Sequence, residues 1–129
     1  MGTRSLTRVF EGDRAVVIIY RQHDGYPEGH GLELAGFLKG RRLDGLHPSS
    51  NGAEVSNGMG CLAASLVGAL KTCPGEIYLT SDCDEAEEYE YDIRANGSGF
   101  SVRVRKWSEQ IFDGNLERFA AFCASPGRE

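Results

Sequence analysis

Between residues 23 and 30 the chain reads His23-Asp24-Gly25-Tyr26-Pro27-Glu28-Gly29-His30, two imidazoles, two carboxylates and a phenol in eight residues. That density is compatible with more than one chemistry. His23, Asp24 and His30 are acceptable ligands for zinc or manganese, or His23 could serve as a general base oriented by a carboxylate; either would make a small hydrolase. The spacing fits neither a helical H-E-x-x-H nor a strand-borne H-x-H. Asp24-Gly25 and Tyr26-Pro27 also have turn chemistry, and in a shaped turn Asp24 would accept from a ribose or base while Tyr26 stacks on a ring.

Two further groups bear on a ligand. If the segments around them pair as a hairpin, Arg4 and Arg21 lie opposite each other, where they need an anion or a carboxylate such as Asp24 or Glu33 between them. Asn57-Gly58-Met59-Gly60 opens an apolar helix, whose free amides and dipole favour an anion. It is neither a P-loop nor a dinucleotide fingerprint, so no cofactor is implied. The candidate ligand contacts are therefore Arg4, Arg21, Asp24, Tyr26, Asn57, Gly58 and Gly60. Eleven of the 14 basic residues are arginine, whose planar fork suits phosphate or carboxylate.

Charge narrows the partners. A net charge of −5 argues against non-specific nucleic-acid binding, which rests on an excess of Lys and Arg. The acidic region from Asp82 to Glu90 would instead suit a basic protein partner, as in a protein–protein inhibitor. No apolar run reaches the length of a membrane span, and residues 1 to 10 lack the apolar core of a signal peptide. Cys61, Cys73, Cys83 and Cys123 have no C-x-x-C spacing and read as free thiols in a reducing compartment, so a cytoplasmic location is expected.

The elements that must position these residues follow from patterning. Ala15-Val16-Val17-Ile18-Ile19-Tyr20 reads as a central strand covered on both faces, paired through the turn at Glu11–Arg14 with a strand from Thr3 to Phe10. That pairing sets Val9 near Val16 and Leu6 near Ile19. Helices are expected from Gly31 to Lys39 and from Ser56 to Lys71, the second apolar all round and hence buried, with a long loop between them. Glu76 to Thr80 is a short strand. Tyr89, Tyr91 and Ile93 then alternate with Glu88, Glu90 and Asp92, and after Asn96-Gly97-Ser98-Gly99 the residues Phe100, Val102 and Val104 alternate with Arg103 and Arg105. This hairpin places Asp92 opposite Arg103 and Glu90 opposite Arg105, as a solvated face of paired charges. Ile111 to Asn115 leads into a last helix capped by Asp113 or Asn115.

The order β-β-α-α-β-β-β-α predicts one α+β domain over residues 1–129, an antiparallel sheet of about five strands with helices packed on it. Three stretches also carry a resemblance. Met1-Gly2-Thr3-Arg4-Ser5-Leu6, Tyr20-Arg21-Gln22-His23-Asp24-Gly25-Tyr26-Pro27-Glu28-Gly29-His30-Gly31 and Asn57-Gly58-Met59-Gly60-Cys61-Leu62-Ala63-Ala64 resemble a family of small uncharacterised bacteriophage and bacterial proteins. The likeness spans most of the chain and brings no activity with it. In that family an aromatic residue often stands where this chain has His23, which weighs against a metal or base role there. The resemblance implies a phage-linked protein of the host cytosol, a class that includes inhibitors sequestering nucleotide signals. The expectation is thus an oligomeric binding protein for a small anionic, nucleotide-like ligand, with the hydrolase and the protein inhibitor as alternatives.

Overall fold

The computed structural model describes residues 2–43, 55–81, 87–97 and 99–125. Strand β1 (Ser5–Glu11) turns at Gly12 into β2 (Arg14–Arg21). Gly12 has φ +63°, the left-handed value that a tight hairpin turn requires at its first central position. A π-helical turn (Pro27–Gly31) runs into α1 (Leu32–Leu38); β3 (Arg42–Leu43) and β4 (Val55–Ser56) make a small parallel pair, and α2 (Gly58–Leu70) follows. Strands β5 (Ile77–Leu79), β6 (Tyr89–Asn96), β7 (Gly99–Lys106) and β8 (Glu109–Asn115) lead to α3 (Leu116–Ala124), capped by the Asn115 side chain, which accepts from Arg118 N at 2.9 Å.

The molecule is α+β as expected, but its sheet is mixed and has six strands, in the order β5-β2-β1-β6-β7-β8. Two features correct the antiparallel, five-stranded expectation. β1 pairs with β6 in parallel, and Glu109–Asn115, whose alternation is too weak to read as a strand, forms the edge strand β8. The run Ala15–Tyr20 therefore lies second from one edge, while β1 and β6 hold the centre. Only Ile18 and Ile19 of that run are buried.

Helices α2 and α3 pack on one face of the sheet, with α1 against α3, over Val9, Ile19, Tyr91, Ile93, Val102, Val104 and Phe112. Leu34, Leu38, Leu62, Leu66, Phe119 and Phe122 meet them as the other half of the core. Burying such side chains contributes roughly 1.5–3 kcal/mol each. α2 is only half-buried. Met59, Leu62, Ala63 and Leu66 face the sheet, whereas Gly60, Cys61, Ala64 and Gly68 face outwards, so its all-round apolarity does not mean full burial.

The β6–β7 hairpin has the expected register, with Asp92 opposite Arg103 and Glu90 opposite Arg105. Its charged face is not solvated, however. Glu90 and Asp92 are 6% and 2% exposed, because β6 is an interior strand and β1 lays Arg8 alongside it. Arg8 reaches Glu90 at 2.7 Å and Asp92 at 2.9 Å, and Arg105 reaches the same two carboxylates at 2.9 and 3.0 Å. Burial pushes the Asp92 carboxyl up, against the opposite pull of Arg8. The loop expected from Arg41 to Val55, the acidic turn after Ser81, Cys83 and the C-terminal end fall largely or wholly outside the described residues.

Candidate functional site

The polar segment after β2 is held by an unusual number of contacts from below. Arg21, at the end of β2, pairs with Glu33 on α1, lies 3.5 Å from Glu76, and donates through Nε to the His23 carbonyl at 2.6 Å. Its Nη1 also approaches Nδ1 of His30 at 3.1 Å, and Nε2 of His30 lies 2.6 Å from Thr7 Oγ1 on β1. A guanidinium only donates, so Nδ1 must accept and the proton sits on Nε2, which donates to Thr7. His30 is fully buried, and burial reinforced by the Arg21 charge lowers its pKa from 6.5 to about 3. It is a neutral structural imidazole with both nitrogens engaged.

Backbone and glycines complete the support. Gly25 N donates to Thr3 O at 2.9 Å, and the buried Tyr91 hydroxyl donates to Gly25 O at 2.7 Å. A Cβ on Gly25 would sit 2.7 Å from Cβ of Ser5, so this position tolerates no side chain without movement. Asp24 is held at φ +62°, a left-handed conformation uncommon outside glycine, and accepts from the Tyr26 hydroxyl at 3.1 Å. Held backbone strain beside a π-helical turn points to function, since both features concentrate at working sites.

The N-terminal segment docks on this loop. A Cβ on Gly2 would lie 2.3 Å from the His23 ring and 2.5 Å from Gln22 O, so the absence of a side chain lets residues 2–4 lie flat against it. Gly2 and Arg4 also line a pocket of 240 Å³, together with Glu87, Glu88 and Trp107. The indole of Trp107 is 63% exposed, and its amide donates to Glu88 O at 2.8 Å. Trp107 and Ser108 form the two-residue turn between β7 and β8, with φ +50° and +72°. Both angles belong to a type I′ turn, which strongly prefers Asn-Gly; here the positions hold a bulky aromatic and a serine. The chain holds a conformation costing roughly 1–2 kcal/mol per residue and turns its single tryptophan outwards.

The sequence-derived residues are thus brought together only in part. Arg4, Asp24 and Tyr26 gather at the end of the sheet where β1 begins. Arg21 lies there too, but it does not face Arg4. A β-bulge between Val9 and Phe10 shifts the register by one, so Ser5, not Arg4, is opposite Arg21, and Leu6 pairs with Tyr20 rather than Ile19. A one-residue slip sends a side chain to the other face, which separates the two guanidinium groups. Arg21 has carboxylate partners, whereas no ion pair to Arg4 occurs among the described residues.

Asn57, Gly58 and Gly60 lie at the other end of the sheet. Gly58 borders a separate pocket with Phe10, Gly12 and Arg94, roughly 20 Å along β1 from Ser5 at a strand rise of about 3.3 Å per residue. The Asn57 side chain makes no capping bond. The side chains of His23, Asp24 and His30 do not converge either. His23 Nδ1 is 2.7 Å from Glu76, Asp24 meets Tyr26, and His30 is consumed by Thr7 and Arg21. Among the described residues there is no group of three His, Cys, Asp or Glu side chains placed to hold a metal ion.

Residue reasoning did not single out Trp107, and it read Glu87 and Glu88 only as part of the acidic region suited to a basic protein partner. The available signal was a lone tryptophan followed by serine at a hairpin turn, recognisable only once Glu109–Asn115 is read as a strand. Fold and site together describe an open-sheet α+β domain with a small mixed-charge pocket and an aromatic wall. Comparisons of the chain with family models, with characterised proteins and with solved structures give no match.

Proposed function

We propose that the protein is a binding protein for a small anionic, nucleotide-like ligand, seated in the pocket of Arg4 and Trp107. The observation that carries this reading is the outward tryptophan on a strained turn beside the Arg4 guanidinium, which has no ion pair among the described residues. A base stacks on the exposed indole, a contribution of about 1–3 kcal/mol in single-stranded nucleic-acid sites. Arg4 pairs with the phosphate, while Glu87 and Glu88 accept from ribose hydroxyls or an exocyclic amine. At 240 Å³ the pocket is smaller than drug-sized sites, so it would grip part of a nucleotide and leave the rest in solvent.

Asp24 and Tyr26 do not line this pocket; they belong to the loop against which Gly2 packs. In this reading the protein acts by sequestration, by analogy with phage-linked inhibitors that hold nucleotide signals. Thermal-shift measurements with mononucleotides, cyclic nucleotides and ADP-ribose derivatives test the reading. At a ligand concentration of about 100 Kd the intact protein gains about 2.7 kcal/mol, seen as a rise in melting temperature, and Arg4→Ala removes most of that rise. Absence of a shift with every compound at millimolar concentration refutes it.

A further inference from the structure

We infer that the pocket of Arg4 and Trp107 is set for a single negative charge: it takes a nucleotide whose phosphate is a diester in preference to phosphomonoesters and polyphosphates. This rests on the nucleotide reading above and narrows its ligand class.

The argument is a count of charges. Among the described residues the pocket lining holds one cation, Arg4, and two carboxylates, Glu87 and Glu88. Three neighbouring arginines already have carboxylate partners: Arg21 pairs with Glu33 and Glu76, and Arg8 and Arg105 with Glu90 and Asp92. Lys106 keeps its charge but stands opposite Tyr89, on the other face of β7 from Arg105. Nor does the loop side offer relief, since the His23 imidazole that Gly2 touches is held by Glu76.

One diester phosphate carries one negative charge, for which Arg4 is the counter-cation beside Glu87 and Glu88. A phosphomonoester carries nearly two at neutral pH, and a triphosphate more, so each additional charge faces Glu87 and Glu88 without a counter-cation. The repulsion is screened by salt because the pocket is open to solvent. The same carboxylates that penalise extra charge give a diester ligand its hydroxyl and amine acceptors, so affinity and discrimination come from the same groups.

Isothermal titration calorimetry on the intact protein tests this with cyclic AMP, cyclic GMP, AMP, GMP, ATP and a single-stranded oligothymidylate. Each cyclic nucleotide is expected to bind at least about tenfold more tightly than the monoester of the same base, with a gap that narrows as salt is raised. The double substitution Glu87→Gln, Glu88→Gln closes the gap by strengthening monoester binding, and the salt dependence of the unaltered protein provides the same test without a variant. Equal or tighter binding of AMP, GMP or ATP overturns the inference and leaves the nucleotide reading standing. If no nucleotide binds, that reading fails and the inference with it. Tighter binding of the oligothymidylate than of any cyclic nucleotide also overturns it, because the diester would then belong to a nucleic-acid strand.

Discussion

His30 shows how a residue with catalytic chemistry becomes structural. Its side chain is fully buried, donates to Thr7 and accepts from Arg21, an arrangement that requires the neutral ring. Burial and the Arg21 charge place its pKa at about 3, below the ordinary 6.5 of an unfolded chain. Because the folded value is the lower one, the unfolded chain takes up the proton first on acidification. The stabilisation from His30 is therefore complete above about pH 6.5 and is lost progressively as pH falls towards 3. Between pH 7 and pH 5 this single group removes about 2 kcal/mol of stability. Urea unfolding of the intact protein and of His30→Gln checks it: the intact protein shows the steeper loss over that interval, and parallel curves would mean that His30 already titrates normally in the fold. Asp92 has the opposite sign, since its folded carboxyl is raised, so the comparison must be made between the two proteins rather than from one curve alone.

Among the elements, the turn at Trp107-Ser108 is where local preference and the fold disagree most clearly. Type I′ geometry favours Asn-Gly, so Trp107→Asn with Ser108→Gly should raise stability by about 1–2 kcal/mol while abolishing ligand binding. Denaturation midpoints and calorimetry on the double variant measure both halves. A variant that is less stable than the parent would show that the turn serves packing rather than recognition. The neighbouring β6–β7 hairpin was legible residue by residue, because alternation of Tyr91 and Ile93 with Glu90 and Asp92 fixes which face is apolar and the turn between Asn96 and Gly99 fixes the register. What alternation could not reveal was that Arg8, 82 residues before Glu90 in the sequence, would lie beside the charged face and bury it. β8 escaped for a local reason: Glu109-Gln110-Ile111-Phe112-Asp113-Gly114-Asn115 has two adjacent apolar residues and no alternating pattern.

At the scale of the molecule, the sequence expectation failed in how the elements meet. Composition and patterning led to an α+β domain, and helices do pack on a sheet, yet the parallel pairing of β1 with β6 is long-range and has no signature in local periodicity. One bulge between Val9 and Phe10 then decided the site. It moved Arg4 off the face of Arg21, leaving Arg21 to secure the loop with Glu33 and Glu76 while Arg4 meets the pocket of Trp107. Asn57, Gly58 and Gly60 belong to the opposite end of the same strands, a separation that no reading of their own chemistry could show. The central claim is that Arg4 and Trp107 together hold a nucleotide-like ligand, and the chain carries its own reporter because Trp107 is its single tryptophan. Titrating the intrinsic fluorescence of the intact protein with cyclic AMP and cyclic GMP should give saturable quenching with at least one of them, weakened tenfold or more by Arg4→Ala, a loss of about 1.4 kcal/mol. Unchanged emission with both up to millimolar concentration would contradict the account.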